Sequence, residues 1–141
     1  MLRSMSTLGT ALWNQGRYGE AEQEFRQLLD ADRRVLGSDH PETLKAMSVL
    51  ALAIQSQGRL AEAEQRYREV LAAQQRVLGP DHPSTVGTMF NLAGLLSLEG
   101  RLADAEKLGR EALAIQLRVL IFQSLALQPL VATIQAAPGI T

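Results

Sequence analysis

Apolar residues return at helical spacing along this chain, in stripes separated by short polar turns. Between Thr43 and Thr85, the residues Leu44, Met47, Leu50, Ala51 and Ile54 recur at three- and four-residue intervals, the signature of one face of an amphipathic helix. Gly58 follows, suited to a left-handed residue that closes a helix, and Arg59 lies by the negative carboxyl end. A second stripe begins near Leu60, with Glu62 in its first turn, and carries Ala63, Tyr67, Val70, Leu71, Val77 and Leu78 to the buried side. Two stripes joined by a glycine turn predict an antiparallel helical hairpin.

The hairpin is repeated. GSDHPET at Gly37–Thr43 returns as GPDHPST at Gly79–Thr85, an offset of 42 residues. The same offset carries GRYGEAE at Gly16–Glu22 onto GRLAEAE at Gly58–Glu64, and then onto GRLADAE at Gly100–Glu106. A fixed period in this range indicates a solenoid, in which each unit packs on its neighbours, rather than one closed core. The expected fold is all-α, with three hairpins over about 1–42, 43–84 and 85–120 and a divergent apolar tail over 121–141.

Two local features support this. A small residue recurs at Ala21, Ala63 and Ala105, where the paired helices approach closely; a larger side chain there would overpack the contact at roughly 1–3 kcal/mol. The Asp-His-Pro linker ends one hairpin and opens the next. Proline suits the first helical turn and biases the preceding histidine towards an extended conformation, and the aspartate or histidine can cap free N–H groups. Asp39 and Glu42 also have capping-box spacing.

The run Leu8-Gly9-x-x-Leu12 followed by Ala21-x-x-x-Phe25 resembles a tetratricopeptide repeat, whose basic unit is 34 residues. The longer period here, with LGxDHPxT linkers and QGRYxEAE-like turns, is similar to the subtype found in kinesin light chains. The resemblance covers Met1 to about Leu120. It implies a right-handed superhelical solenoid of antiparallel hairpins that serves as a protein–protein interaction scaffold, holding a peptide or partner protein in a concave groove lined by the first helices. By the same resemblance, the groove residues are Arg3, Thr10, Trp13, Lys45, Ser48, Leu52, Gln55 and Asn91, with Ser6, Thr7, Val49, Phe90, Gly94 and Ser97 alongside. Asn91 matches a family position where asparagine often holds a peptide backbone, whereas Thr7 and Val49 occupy it in the other copies.

Composition removes several function classes. The formal charge is −1 with acids and bases interleaved, so no electrostatic grip on nucleic acid is expected. There is no cysteine, which excludes disulfides, thiolate nucleophiles and cysteine metal sites. His40 and His82, the two histidines, fall one per linker and a repeat apart, so they are expected to be structural rather than to converge on a metal. The pairs Glu22–Arg26, Glu64–Arg68 and Glu106–Arg110 have (i, i+4) spacing and are expected on a solvated helix face, at about 0.2–0.5 kcal/mol each. No nucleophile, base and oxyanion stabiliser assemble, and no phosphate-binding glycine loop occurs. Neither an enzymatic activity nor a cofactor is expected, and the default setting is cytoplasmic.

The pattern breaks in the third copy. Gly109 stands where Phe25 and Tyr67 align, leaving a gap in the packing, and IFQSLALQPL replaces the next linker from Ile121. Glutamines, Ser124 and Pro129 interrupt the tail, which falls short of the ~18 uninterrupted apolar residues of a spanning helix, so no membrane partner is expected. The helix is expected to pass Leu120 towards Leu127, with Val131–Gln135 loosely packed or mobile. Two rival functions remain: the resemblance also allows a sensor or regulatory fragment of a nucleotide-binding signalling protein, and the open C-terminal end with its apolar tail allows a self-association module.

Overall fold

The computed structural model describes residues 2–135, as six helices in chain order: α1 (Leu2–Asn14), α2 (Tyr18–Val35), α3 (Pro41–Ser56), α4 (Leu60–Val77), α5 (Pro83–Leu98) and α6 (Leu102–Gln135). Consecutive helices pack side by side, and α3 also touches α5. The helices therefore form three hairpins, α1–α2, α3–α4 and α5–α6, each resting on the next.

Each part of the repeated sequence has a structural task. Gly58 adopts φ +83°, and Gly16 and Gly100 match it at the same turn. In this left-handed conformation the Gly58 and Arg59 N–H groups bond back to the carbonyls of Gln55 and Ile54, closing α3. In the linker, Gly37 is also left-handed, and the Thr43 hydroxyl donates to its carbonyl at 2.7 Å. Thr85 repeats this bond with Gly79 at 2.9 Å. The N-cap of α3 is His40, whose Nδ1 accepts from the Glu42 N–H at 3.1 Å, and His82 caps α5 in the same way through Ser84. Asp39 does not form the expected capping box. It accepts instead from Arg76 at 2.8 Å, and Asp81 accepts from Arg118 at 2.6 Å. Each of these pairs ties the start of a hairpin to its second helix, near the end of α4 and midway along α6.

The main core runs from Leu12 through the α2, α3 and α4 stripes to Leu96 and Ala105. A second cluster of Val86, Met89 and Ala112 sits between α5 and α6. Ala21 and Ala63 are fully buried and Ala105 nearly so, as close helix approach requires. Of the stripe assigned to α4, Ala63, Tyr67 and Val70 are buried, Leu71 and Leu78 are partly exposed, and Val77 is exposed at the last residue of the helix. The Phe25 ring lies against Gly9, where an added Cβ would stand 2.5 Å from Cε1, so glycine is needed for the contact. At Gly109 an added Cβ would meet nothing within 4 Å, and the third hairpin has the expected gap.

The tail differs from expectation. Helix α6 passes Leu127 and continues through Pro129 to Gln135 without a break, including the backbone of Val131–Gln135. No glycine or Asp-His-Pro linker follows Leu120 to end it, and Thr133 bonds back to the Pro129 carbonyl at 2.8 Å. The boundary at 120/121 coincides with no change of element. Leu117, Leu120, Ile121, Phe122, Leu125, Leu127 and Leu130 are each more than half exposed. By length and composition alone, Leu102–Leu130 would suffice to cross a membrane, contrary to the sequence expectation, which assumed that the glutamines and proline interrupt the segment. Its first half is nonetheless fitted to α5, through buried Ala105 and Ala112 and the Arg118–Asp81 pair.

Helix α4 provides a direct test of this packing. Ala63→Leu should lower the thermal midpoint far more than Gln65→Leu, which points to solvent. The Tyr67 hydroxyl is buried without a hydrogen-bond partner, and burial pushes its pKa up to about 12. Tyr67→Phe should therefore be neutral or stabilising, since it removes an unsatisfied polar group. The folded state holds the Tyr67 proton more tightly than the unfolded chain does. Wild-type stability should then fall as pH rises from the ordinary tyrosine pKa towards 12, and this contribution should be absent in the phenylalanine variant when unfolding is followed by denaturant titration.

Candidate functional site

The repeated Gly-Arg turn and Glu-Ala-Glu motif build the contact between hairpins. Glu22 in α2 is only 8% exposed. It accepts hydrogen bonds from Arg26 at 2.7 Å, from Gln57 at 2.7 Å and from Arg59 at 2.6 Å, the last two belonging to the next hairpin. Burial alone would raise its pKa, but the hydrogen bonds from Gln57, Arg26 and Arg59 outweigh it and hold the carboxyl below its ordinary value. Glu64 repeats the arrangement with Arg68 at 2.8 Å and Arg101 at 2.9 Å, and the Arg68 bond is the largest influence lowering its pKa. The (i, i+4) pairs are thus not merely a solvated face. Spacing within one helix could not reveal the partner 37 residues away. Only Glu106–Arg110 conforms to the expectation, with Glu106 at 61% exposure.

The first-helix residues are less uniform than the family pattern suggests. The Arg3 side chain lies outside the described residues. Thr10 is exposed, and its hydroxyl donates to the Ser6 carbonyl at 2.8 Å. Trp13 is tied into the contact between hairpins: its Nε1 donates to Ser56 Oγ at 2.9 Å, and its ring tilts against Tyr18 with centroids 6.0 Å apart. Lys45 and Asn91 are exposed, and Leu52 and Gln55 are half-buried. Ser48 Oγ is buried without a partner.

One cavity of about 380 Å³ gathers part of this face. It lies among α1, α2 and α3, lined by Ser6, Lys45 and Val49 from the first helices and by Leu28, Asp32 and Leu36 from the second, with Glu42 and Ala46 completing it. Thr10, Trp13, Ser48, Leu52, Gln55 and Asn91 do not line it. Sequence reasoning missed Asp32, although a visible signal existed: an acid within the α2 apolar stripe, aligned with Gln74 one period later. The described residues hold no cluster of three or more potential metal ligands.

An array of helical hairpins joined neighbour to neighbour by apolar packing and by carboxylate–arginine pairs defines a repeat scaffold of the α-solenoid class. The chain belongs to the tetratricopeptide repeat family, whose model matches residues 1–75 and 46–118. Members of this family generally act as non-enzymatic scaffolds for protein–protein interaction. Among solved structures, the chain is similar to the nearly identical TPR-like repeats of a kinesin light chain from Podosopora anserina. It is 30% identical to that protein with a TM-score of 0.76, over 84% of this chain and 56% of that one. BtubC (BKLC) from P. vanneervenii shares the fold at 20% identity and TM-score 0.76, over 83% of this chain and 46% of that one. The TPR domain of Arabidopsis FLU does so at 24% identity and TM-score 0.72, over 84% of this chain and 95% of that one. The chain thus spans about half the length of the kinesin-light-chain-like structures it matches. No curated protein sequence matches it.

Substitution should separate the buried junction from its exposed equivalent. Glu22→Gln should cost about 1–3 kcal/mol, the range for hydrogen bonds to a buried charged group, and Glu106→Gln should fall within about 0.5 kcal/mol of wild type. The folded pKa of Glu22 is depressed, so its contribution is complete above the unfolded carboxyl pKa and is lost as pH falls through the lower folded value. Acid unfolding of Glu22→Gln should accordingly show a weaker pH dependence below about 4.5 in denaturant titrations.

Proposed function

We propose that this chain is an interaction scaffold that holds a peptide or an extended partner segment along the face of its first helices. The observation that carries this reading is a cavity on the first-helix side of the array with an exposed, unengaged lysine at its edge. On the second helices Glu22, Arg26, Glu64 and Arg68 are engaged with one another and with the turn arginines. On the first helices the Lys45 and Asn91 side chains are exposed and make no hydrogen bond or ion pair among the described residues, and the 380 Å³ cavity opens beside Lys45. Tetratricopeptide membership and the kinesin-light-chain-like neighbours support an interaction role in general.

For a peptide selected from a display library on the intact array, Lys45→Ala and Asn91→Ala should each weaken binding severalfold by calorimetry while leaving helicity unchanged. Arg68→Ala on α4 should have little effect. A dominant effect of Arg68 with the first-helix pair silent would move the binding surface to the second helices.

A second reading, self-association, is favoured by the row of exposed apolar residues from Leu117 to Leu130. Light scattering on the chain with and without 121–141 tests it. A mass that falls to that of the monomer on truncation supports association through α6, and a monomer in both forms removes it.

A further inference from the structure

We propose that the cavity at Asp32 is a subsite for a cationic side chain, the ammonium of lysine or the guanidinium of arginine, carried by the bound peptide. The inference rests on the peptide-binding reading and specifies what one end of that face selects. Asp32 belongs to the buried stripe of α2 with Phe25, Leu28 and Leu29, is 4% exposed, and lines the cavity. Its carboxylate has no hydrogen bond or ion pair among the described residues. Its oxygens open to the cavity rather than being sealed in the core, so an entering cation reaches them without displacing a protein donor.

The next repeat shows the satisfied form of the same site. One period on, Gln74 replaces Asp32 and Thr88 replaces Ala46, and the Thr88 hydroxyl donates to Gln74 Oε1 at 2.6 Å within the buried core. In the first copy both partners differ: the amide has become an acid, and Ala46 supplies no donor. The acceptor is left facing the cavity. Burial raises the Asp32 pKa, the neighbouring Glu42 raises it further, and His40 acts in the opposite direction. Among the charged groups lining the cavity, Asp32 and Glu42 are negative and Lys45 is positive and exposed. An entering cation meets two acids, whereas an entering carboxylate meets like charge at the floor. Lys45 remains available to the peptide's carbonyl oxygens or to an acidic neighbour of the inserted residue. Lys45 is also the intramolecular competitor, and the experiment must distinguish it.

The test uses the full chain. In the free protein, Asp32→Asn and the double variant Asp32→Gln with Ala46→Thr, which rebuilds the Gln74–Thr88 pair, should raise the thermal midpoint. A drop in both, matched by Lys45→Met and non-additive with it, would show that Lys45 already neutralises Asp32 and would overturn the proposal. For binding, acetylated and amidated nonapeptides of alanine, glycine and serine with one central Lys, Arg, Gln or Glu are titrated by NMR. The Lys and Arg peptides should bind at least tenfold more tightly than the Gln peptide and shift the Ala46 and Val49 amides, and the double variant should abolish the preference. If all four peptides shift first-helix amides alike, the cation subsite fails and the peptide-binding reading stands. Preference for the Glu peptide would assign selection to Lys45 and overturn the proposal. If no peptide perturbs the first-helix face, both inferences fail.

Discussion

A hairpin of two helices cannot bury its apolar stripe by itself, so every unit of this array depends on the join to its neighbour. The join combines apolar packing with a carboxylate that bridges hairpins. Glu22 sits at the junction of α2 with the α3–α4 turn, nearly buried, and accepts from three side chains of which two belong to the next hairpin. An exposed ion pair contributes little, because water competes and two long side chains must be ordered. A buried carboxylate with several charge-assisted donors is different, because loss of any one donor leaves charge without compensation. The left-handed glycine matters for the same reason. It reverses the chain sharply enough that the next residue, Arg59 or Arg101, starts the second helix within reach of the preceding repeat's glutamate.

The repeat, the hairpins and their turns were legible in the sequence because each depends on contacts a few residues apart. Helical spacing, a glycine at the turn and proline after histidine act locally, and Gly58, His40 and Pro41 occupy the conformations they imply. What escaped were contacts between repeats. Glu22 and Arg26 look like a self-contained pair at (i, i+4), while the decisive partner, Arg59, is distant in sequence. Asp39 offered capping-box spacing, but His40 Nδ1 takes the cap and Asp39 turns to Arg76. The family resemblance puts Trp13 in the groove, and the structure adds a bond from its indole to Ser56 of the neighbouring hairpin. In each case a long side chain had a choice between solvent and a neighbour that periodicity along one helix does not reveal.

The end of α6 follows from the same logic of local stop signals. Each earlier second helix ends at a left-handed glycine followed by Asp-His-Pro. After Leu120 neither is present, and helical backbone continues because nothing in the sequence halts it. Pro129 lies inside the helix without ending it, and its carbonyl accepts from the Thr133 hydroxyl. Without a following hairpin among the described residues, the apolar side chains of this segment stay exposed. Their exposure reflects a helix without a packing partner, not an error in its apolar pattern.

Repetition also gives each copy an internal reference, and departures from it carry more information than the consensus. Gly109 in place of Phe25 or Tyr67 removes a ring and leaves open space, a loss of packing with no chemical gain visible at the position. Asp32 in place of Gln74 is a different kind of departure. It exchanges a neutral, hydrogen-bonded amide for a buried charge while the opposing threonine is also absent. A change that served stability alone would retain the donor or make both positions apolar. Retaining an acid at the floor of a cavity, opposite a residue that offers it no donor, places an accessible negative charge at one end of the first-helix face. On the proposed reading, a ligand carrying a cation at that point gains an advantage over one that does not, and the departure from the repeat would set a preferred register for the partner.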